Sequence, residues 1–135
     1  MQITGNPSVL VANDSEDTRD LLRYWLEAKR CRVVEAINGQ EAVDMARGEC
    51  PDLILMNIRM PVLDGLTAAR RIHEDAGKSD IPIVCMSTYP TPEEKATALA
   101  AGCNSLISQP INFDLLSELL NSLLPASVGA GQGAT

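Results

Sequence analysis

The sequence predicts a single-domain α/β fold built on a parallel sheet. Length and composition indicate one globular domain, and the pattern of apolar segments indicates the fold class. The chain has 135 residues, close to the length of one typical domain. Hydrophobic residues make up 45% of it and charged residues 21%, as in ordinary globular proteins. Five short apolar segments alternate with stretches of helical periodicity, and this alternation indicates βαβ units. We therefore expect a single domain over residues 1–125.

The first half of the chain supplies three predicted strands. The segments Ser8–Ala12 and Arg32–Ala36 are short and rich in β-branched residues, which is typical of strands. Apolar residues at helical spacing follow each of them, over 21–26 and over 42–46. The third strand, Leu53–Met56, is entirely apolar. We expect it at the centre of the sheet, where helices cover both faces.

The fourth strand and fourth helix follow in the second half. Ile81–Met86 is the predicted strand. Thr91 is a capping residue, Pro92 suits the first helical position and Glu94 completes a capping box. The fourth helix should therefore begin here, and Gly102 should end it.

The last predicted strand is Ser105–Ile107, and Asn112 can cap the helix that follows it. This helix carries an apolar stripe that should lie against the sheet, and Pro125 should end it. The stripe consists of Phe113, Leu116, Leu119, Leu120 and Leu123. Residues 126–135 are small and Gly-rich, so we expect a flexible tail or the stump of a linker.

Composition argues against several classes of function. The 11 basic and 18 acidic residues give a net charge of −7, which repels nucleic-acid phosphates and anionic lipids. One Trp, two Tyr and one Phe are too few for a base-stacking platform. No apolar run approaches the ~18 residues that cross a bilayer, and the first residues lack signal-peptide features. We expect a cytoplasmic protein that binds neither nucleic acid nor membrane.

The cysteines and the single histidine form no recognisable metal motif. Cys31, Cys50, Cys85 and Cys103 are unevenly spaced, without a C-x-x-C pair. We interpret all four as reduced residues without a ligand role, with Cys85 as a small buried hydrophobe. His73 has charged neighbours, so we expect it on the solvent side of the third helix as an ordinary titrating residue.

Polar residues stand where the predicted strands end. In an open parallel sheet, ligands bind outside the carboxyl ends of the strands, at the point where the strand order reverses. Four of the five strands end there in small polar side chains, so we expect these to converge on one site. They are Asn13, Asp14, Asn57, Ser87, Thr88 and Gln109.

Four stretches of the sequence carry a family pattern. They read V-L-V-A-N-D-S-E-D-T-R, P-D-L-I-L-M-N-I-R-M-P-V-L-D-G, I-P-I-V-C-M-S-T and A-A-G-C-N-S-L-I-S-Q-P-I. In this order they resemble the receiver domain of bacterial two-component response regulators, over about Ser8 to Leu124. The resemblance implies a doubly wound, flavodoxin-like (βα)5 sandwich with strand order 2-1-3-4-5. It also suggests a cis peptide bond before Pro110.

The resemblance implies a phosphorylation site, which this chain has largely lost. The family pattern needs an acceptor aspartate after the third strand, an acid pair after the first strand for Mg²⁺, a hydroxyl after the fourth and a lysine before the fifth-strand proline. The matching residues here are Asn57 at the acceptor, Asn13 and Asp14 at the acid pair, Ser87 at the hydroxyl and Gln109 at the lysine. Three of the five positions are therefore changed.

A further family feature is an aromatic residue on the fifth strand that moves with the hydroxyl. Leu106 takes its place here.

Each change weakens phosphoryl chemistry. The amide of Asn57 cannot form an acyl phosphate. Asp14 alone should hold Mg²⁺ weakly or not at all, so we expect no cofactor. Gln109 lacks the positive charge that neutralises a phosphoryl group. We interpret the chain as a pseudo-receiver, a degenerate member without catalytic residues that signals by protein–protein contacts.

Three other interpretations stay open. The chain could be an orthodox receiver whose acceptor was replaced by engineering, although the accompanying changes at Asn13, Gln109 and Leu106 argue against that. Asp14 could serve as a substitute acceptor, or it could simply cap the first helix. A small-molecule sensor or enzyme ranks last, because we find no nucleophile–base pair and no Gly-rich phosphate loop.

The resemblance also implies where a partner binds. The surface would consist of the fourth helix, the fifth strand and the fifth helix. Expected partners are a histidine kinase, a phosphotransfer protein or an output domain, and a homodimer is compatible with the same surface.

Overall fold

The computed structural model describes residues 6–75, 80–88 and 90–124, in which five strands alternate with five helices. The strands are β1 (Ser8–Ala12), β2 (Arg32–Ala36), β3 (Leu53–Asn57), β4 (Ile83–Ser87) and β5 (Ser105–Ser108). The helices are α1 (Glu16–Ala28), α2 (Gly39–Glu49), α3 (Gly65–Glu74), α4 (Pro92–Ala100) and α5 (Phe113–Leu123). All strand pairs are parallel and their order is β2-β1-β3-β4-β5. The predicted doubly wound α/β fold is confirmed.

Two apolar layers enclose the sheet, one on each face. From β3, Ile54 and Met56 pack into a cluster with buried residues of α2 and α3. Leu53 and Leu55 point the opposite way, into a cluster with residues of α1 and α5. All four side chains are fully buried. The predicted central position of this strand is therefore confirmed.

The strand boundaries differ slightly from prediction. β4 begins at Ile83 rather than Ile81, because Pro82 has no N–H for the sheet and only its carbonyl pairs, accepting from the Ile54 N–H at 2.9 Å. β3 and β5 each extend one residue further than predicted, to Asn57 and Ser108. Each extension brings a polar residue to the carboxyl edge of the sheet.

The start of α1 corrects the interpretation of Asp14 as a helix cap. The cap is Ser15, whose hydroxyl accepts from the Thr18 N–H at 3.3 Å. The Asn13 side chain accepts from the Ser15 N–H at 2.9 Å and forms the turn that leads into the helix. The Asp14 carboxylate is thus left for the cleft.

The predicted starts of α4 and α5 are confirmed. Thr91 caps α4 with Pro92 at its first position, and Asn112 caps α5. Leu116 and Leu120 of the predicted stripe are buried against the sheet. The bond between Gln109 and Pro110 is cis. Pro125 and the tail predicted over 126–135 lie outside the described residues.

His73 is not the surface residue that its charged neighbours suggested. Its side chain is half-buried, and Nε2 lies 2.9 Å from the Ile81 carbonyl oxygen. The ring packs against Gly102, which follows α4 with a φ of 101°, and a Cβ there would overlap the imidazole. The prediction was wrong because it considered only the sequence neighbours of His73, whereas the ring contacts two distant segments.

The interpretation of all four cysteines as reduced was wrong for one pair. Cys85 and Cys103 form a disulfide, with Cα atoms 6.4 Å apart. Cys31 is a buried free thiol whose pKa is raised by burial, and Cys50 is exposed. The sequence spacing did not reveal the pairing because it depends on where the turn after α4 places Cys103.

Candidate functional site

The predicted site residues Asn57, Asp14 and Gln109 meet at the carboxyl edge of the sheet. The Asn57 amide donates from Nδ2 to Asp14 Oδ1 at 3.3 Å and to the Arg59 carbonyl at 3.0 Å. Gln109 Nε2 donates in turn to Asn57 Oδ1 at 3.4 Å. Asn57 therefore lies in the middle of a hydrogen-bonded chain from β5, through β3, to the end of β1.

Neighbouring protein groups supply hydrogen-bond partners for both polar atoms of the Asn57 amide. Both ends of the Asn57 amide are engaged, its nitrogen by two oxygens and its oxygen by Gln109. Asp14 contributes the only formal charge of the three, and its side chain is exposed to solvent. Hydrogen bonds donated by neutral amides thus join the three residues, with no ion pair among them.

Asn13 stands apart from this chain. It is 2% exposed, its oxygen accepts from the Ser15 N–H, and its backbone carbonyl accepts from the Arg19 guanidinium at 2.9 Å. Its Nδ2 has no hydrogen-bond partner within the described part of the chain. Asn13 therefore shapes the turn into α1 and does not bond to Asn57.

Ser87 contacts a carboxylate that the sequence analysis did not assign to the site. Its hydroxyl donates to Glu94 Oε1 at 2.6 Å, and Glu94 Oε2 pairs with the Arg59 guanidinium at 3.1 Å. Ser87 is 1% exposed and the Glu94 side chain 13%. Glu94 therefore links the end of β4, the first turn of α4 and the loop after β3. Thr88, by contrast, is exposed.

Both Glu94 and Arg59 were missed as site residues. The only sequence signal for Glu94 was the capping box, which assigns its carboxylate to the start of its own helix. Thr91 does accept from the Glu94 N–H at 3.0 Å, but the carboxylate reaches Ser87 and Arg59 instead. The capping pattern located the residue correctly and assigned its side chain to the wrong partner.

The loop between β3 and α3 brings Arg59 to the site, and Gly65 makes the loop tight. The Gly65 N–H donates to the Ile58 carbonyl at 2.7 Å, and a Cβ on Gly65 would overlap the Asn57 carbonyl oxygen. Val62, at the exposed tip, has a φ of 70°, which is unfavourable for a β-branched residue. A cavity of about 630 Å³ lies under this loop, with Asp14, Arg59 and Glu94 among its lining residues.

Leu106, the residue at the family's aromatic position, lies beside Cys85 on the neighbouring strand. It is half-buried and packs against the apolar cluster on the α2–α3 face of the sheet. It also lines a second cavity, of about 540 Å³, together with residues of α4 and α5 such as Lys95 and Leu115. The expected partner surface is therefore partly concave.

The residues present do not fit the Mg²⁺ site that the resemblance implies. Asn57 turns its amide nitrogen, a donor, toward Asp14, and its oxygen accepts from Gln109. The Asn13 oxygen accepts from the Ser15 N–H. Mg²⁺ needs anionic or free oxygen ligands, and Asp14 alone offers one. Within the described residues, no group of three or more His, Cys, Asp or Glu side chains is placed to hold a metal ion.

Comparisons with known proteins agree with this architecture. The sequence profile of the response regulator receiver domain matches residues 9–121. The polar-differentiation response regulator DivK of Brucella anthropi is 32% identical over 117 residues, which are 87% of this chain and 95% of that protein.

Two solved structures are also similar. The Vibrio cholerae chemotaxis protein CheY4 superposes with a TM-score of 0.84 and 26% identity, covering 89% of this chain and all of that one. The receiver domain of the Pseudomonas aeruginosa sensor histidine kinase PA1611 has a TM-score of 0.81 and 26% identity, covering 88% and 98% of the two chains. That protein holds a magnesium ion in its active-site cleft. Among the described residues of the present chain, no helix is long and apolar enough to span a membrane.

Proposed function

The chain belongs to the response regulator receiver domain family of two-component signalling, and on this premise we propose that it signals by binding a protein partner, without phosphorylation. The observation that carries the proposal is Asn57 at the acceptor position. A carboxylate oxygen can attack phosphorus and form an acyl phosphate, whereas an uncharged amide is a far weaker nucleophile and cannot form that mixed anhydride. This substitution supports the interpretation of the chain as a degenerate pseudo-receiver.

The electrostatics of the cleft support the same proposal. Each lost carboxylate, at Asn13 and at Asn57, removes an attraction for a cation of about 4 kcal/mol at ~4 Å in an effective dielectric of ~20. Gln109 keeps a hydrogen-bond donor but loses the positive charge that a transferred phosphoryl group requires. The cleft therefore offers neither the metal nor the counter-charge of phosphoryl transfer. A cofactor-free, non-enzymatic module is the function that fits these residues best.

The partner surface that we propose comprises α4, β5 and α5. Leu99 of α4 is 51% exposed and Leu115 of α5 is 41% exposed, and the cavity lined by Leu106 lies beside Leu115. Exposed apolar side chains next to a concavity favour protein contacts. We propose a histidine kinase, a phosphotransfer protein or an output domain as the partner, with self-association as an alternative. A cytoplasmic location and the absence of nucleic-acid and membrane binding stay predictions.

A rescue series tests the proposal. Asn57→Asp supplies a nucleophile but leaves the strand-one acid and the lysine missing, so phosphorylation by acetyl phosphate with Mg²⁺ should stay slow or undetectable. The triple variant Asn13→Asp/Asn57→Asp/Gln109→Lys should accept phosphate. The matched control is Asn13→Asp/Gln109→Lys, which rebuilds the pocket without the nucleophile and should not react. Because Leu106 has no aromatic ring, we expect little conformational response of α4 and β5 in the phosphorylated triple variant.

One result would replace this proposal by the engineered-acceptor alternative. If Asn57→Asp alone were phosphorylated rapidly and hydrogen exchange in α4 and β5 changed strongly with it, the cleft would be intact apart from a single side chain. The substitutions at Asn13 and Gln109 would then not form a functional set.

A further inference from the structure

A disulfide lies near the cleft and involves none of the cleft residues described above. Cys85 lies in β4, two residues before Ser87, and Cys103 lies in the turn between α4 and β5. Their Cα atoms are 6.4 Å apart, within the range that a disulfide spans. Both residues are buried, Cys85 fully and Cys103 with 4% exposure. The two sulfur atoms are therefore bonded to each other in the interior of the protein.

The disulfide joins two residues that lie on either side of a whole helix in the sequence. The two cysteines are 18 residues apart in sequence, and all of α4 lies between them. Cys85 is also the register partner of Leu106 on β5. A bond between the cysteines thus closes a loop that contains α4 and fixes its carboxyl end to the strand that carries Ser87.

We propose that Cys85 and Cys103 form a thiol–disulfide switch, through which a small hydroperoxide acts on the α4–β5 surface. This proposal goes beyond the protein-binding function above and does not depend on it, because it concerns different atoms.

The chemistry balances with a hydroperoxide as the oxidant. Cys103, the more accessible of the two, loses its thiol proton and attacks the terminal peroxide oxygen. The O–O bond breaks, Cys103 sulfenic acid forms, and the leaving alkoxide or hydroxide takes up a proton as alcohol or water. The Cys85 thiol then loses its proton and attacks the Cys103 sulfur; the S–O bond breaks, and the leaving hydroxide takes up that proton as water. Two thiols are oxidised to one disulfide and the peroxide is reduced. A dithiol reverses the reaction by thiol–disulfide exchange.

We expect the reduced form to keep the same turn, so that the switch changes the mobility of this region and leaves the fold intact. The Cys103 N–H donates to the Ala98 carbonyl at 3.0 Å, and the Asn104 N–H donates to the Ile83 carbonyl at 2.8 Å. Asn104 Oδ1 also accepts from the Ile83 N–H at 2.9 Å. None of these bonds involves a sulfur atom, so we expect them to form in both states. Opening the disulfide removes the covalent restraint on α4 and on the turn that leads into β5.

The remaining two cysteines provide the control background. In the variant Cys31→Ala/Cys50→Ser, only the proposed pair can react. After dithiothreitol, denaturing alkylation should label two thiols. After stoichiometric hydrogen peroxide, it should label none, and the intact mass should fall by two hydrogens. Peptide mapping of the wild-type chain should give the same Cys85–Cys103 assignment, so the result does not depend on whether the variant folds.

Hydrogen exchange measures the consequence of the switch. Amides of α4 and of the first residues of β5 should exchange about tenfold faster in the reduced protein, because closing the loop restricts local opening. Amides of β1 and β3 should be unchanged. The variant Cys85→Ala in the same background serves as the control, and its exchange should not respond to peroxide.

Several results would overturn the proposal. They are two thiols that still alkylate after peroxide, oxidation that stops at sulfinic acid, and a disulfide that dithiothreitol cannot open in the folded protein. Equal exchange of α4 in the two states would overturn it as well.

Discussion

Replacing Glu94 with alanine tests the contact that links the Ser87 hydroxyl to α4. The Glu94 carboxylate accepts from the buried Ser87 hydroxyl at 2.6 Å, and a hydrogen bond to a charged group contributes about 1.5–3 kcal/mol. The pair with Arg59, which is 68% exposed, adds at most about 1 kcal/mol. Loss of a negative charge near the start of α4 costs about 0.5 kcal/mol more. We expect Glu94→Ala to lower the free energy of unfolding by about 2–4 kcal/mol.

Glu93 provides a matched control for this measurement. It is also in the first turn of α4, so its removal costs a similar helix-dipole contribution, but its side chain is exposed. Glu93→Ala should therefore cost about 0.5 kcal/mol. Urea unfolding followed by circular dichroism measures both variants, with the free energies extrapolated to water.

A double-mutant cycle isolates the contribution of the hydrogen bond itself. Ser87→Ala, Glu94→Ala and the double variant should give a coupling energy of about 1–2 kcal/mol, because each single change removes the same contact. If Glu94→Ala cost no more than Glu93→Ala, or if the coupling were within error of zero, Glu94 would not hold Ser87 in solution.

Three further predictions follow from other parts of the structure. Millimolar Mg²⁺ should raise the melting temperature by less than about 1 °C, because a ligand stabilises a protein only in proportion to its occupancy. A rise of several degrees, measured by calorimetry at increasing Mg²⁺, would show that Asp14 and the amide oxygens suffice to bind the ion. Gly65→Ala should destabilise the fold by about 1–3 kcal/mol, because the new Cβ would overlap the Asn57 carbonyl oxygen. Gly48→Ala on α2 is the control: a Cβ there meets nothing within 4 Å, so the change should be neutral or stabilising. Equal effects of the two variants in urea unfolding would contradict this prediction. Burial raises the pKa of the Cys31 thiol above its ordinary value of 9.0, so the folded state keeps this proton longer than the unfolded state, and stability should fall as pH rises above about 9. The slope should be shallower in Cys31→Ala, and identical slopes would refute the assignment.

The fold could be predicted because its signals are local. The apolar segment 53–56 marks a buried central strand, and Thr91-Pro92 and Asn112 mark helix starts that the structure confirms. The convergence of Asn57, Asp14 and Gln109 was also predictable, since the carboxyl ends of parallel strands meet at one edge. These inferences needed only periodicity, capping chemistry and the geometry of a parallel sheet.

The rest depended on side-chain directions that the sequence does not contain. Glu94 has an adequate role in its own capping box, so nothing local indicated that its carboxylate turns to Ser87. His73 was misjudged because the Ile81 carbonyl and Gly102 approach it from other segments. The pairing of Cys85 with Cys103 requires the length of α4 and the turn after it. In each case the contact is long-range and is made by a residue that also has an ordinary local explanation.

Intact-mass measurement of the wild-type chain after incubation with acetyl phosphate and Mg²⁺ tests the central claim most directly. The triple variant Asn13→Asp/Asn57→Asp/Gln109→Lys serves as the positive control for the phosphodonor. We predict no phosphoryl increment on the wild-type protein, because Asn57 cannot form an acyl phosphate. A stoichiometric, base-labile phosphoryl adduct on the wild-type chain, at Asp14 or any other residue, would contradict phosphorylation-independent signalling.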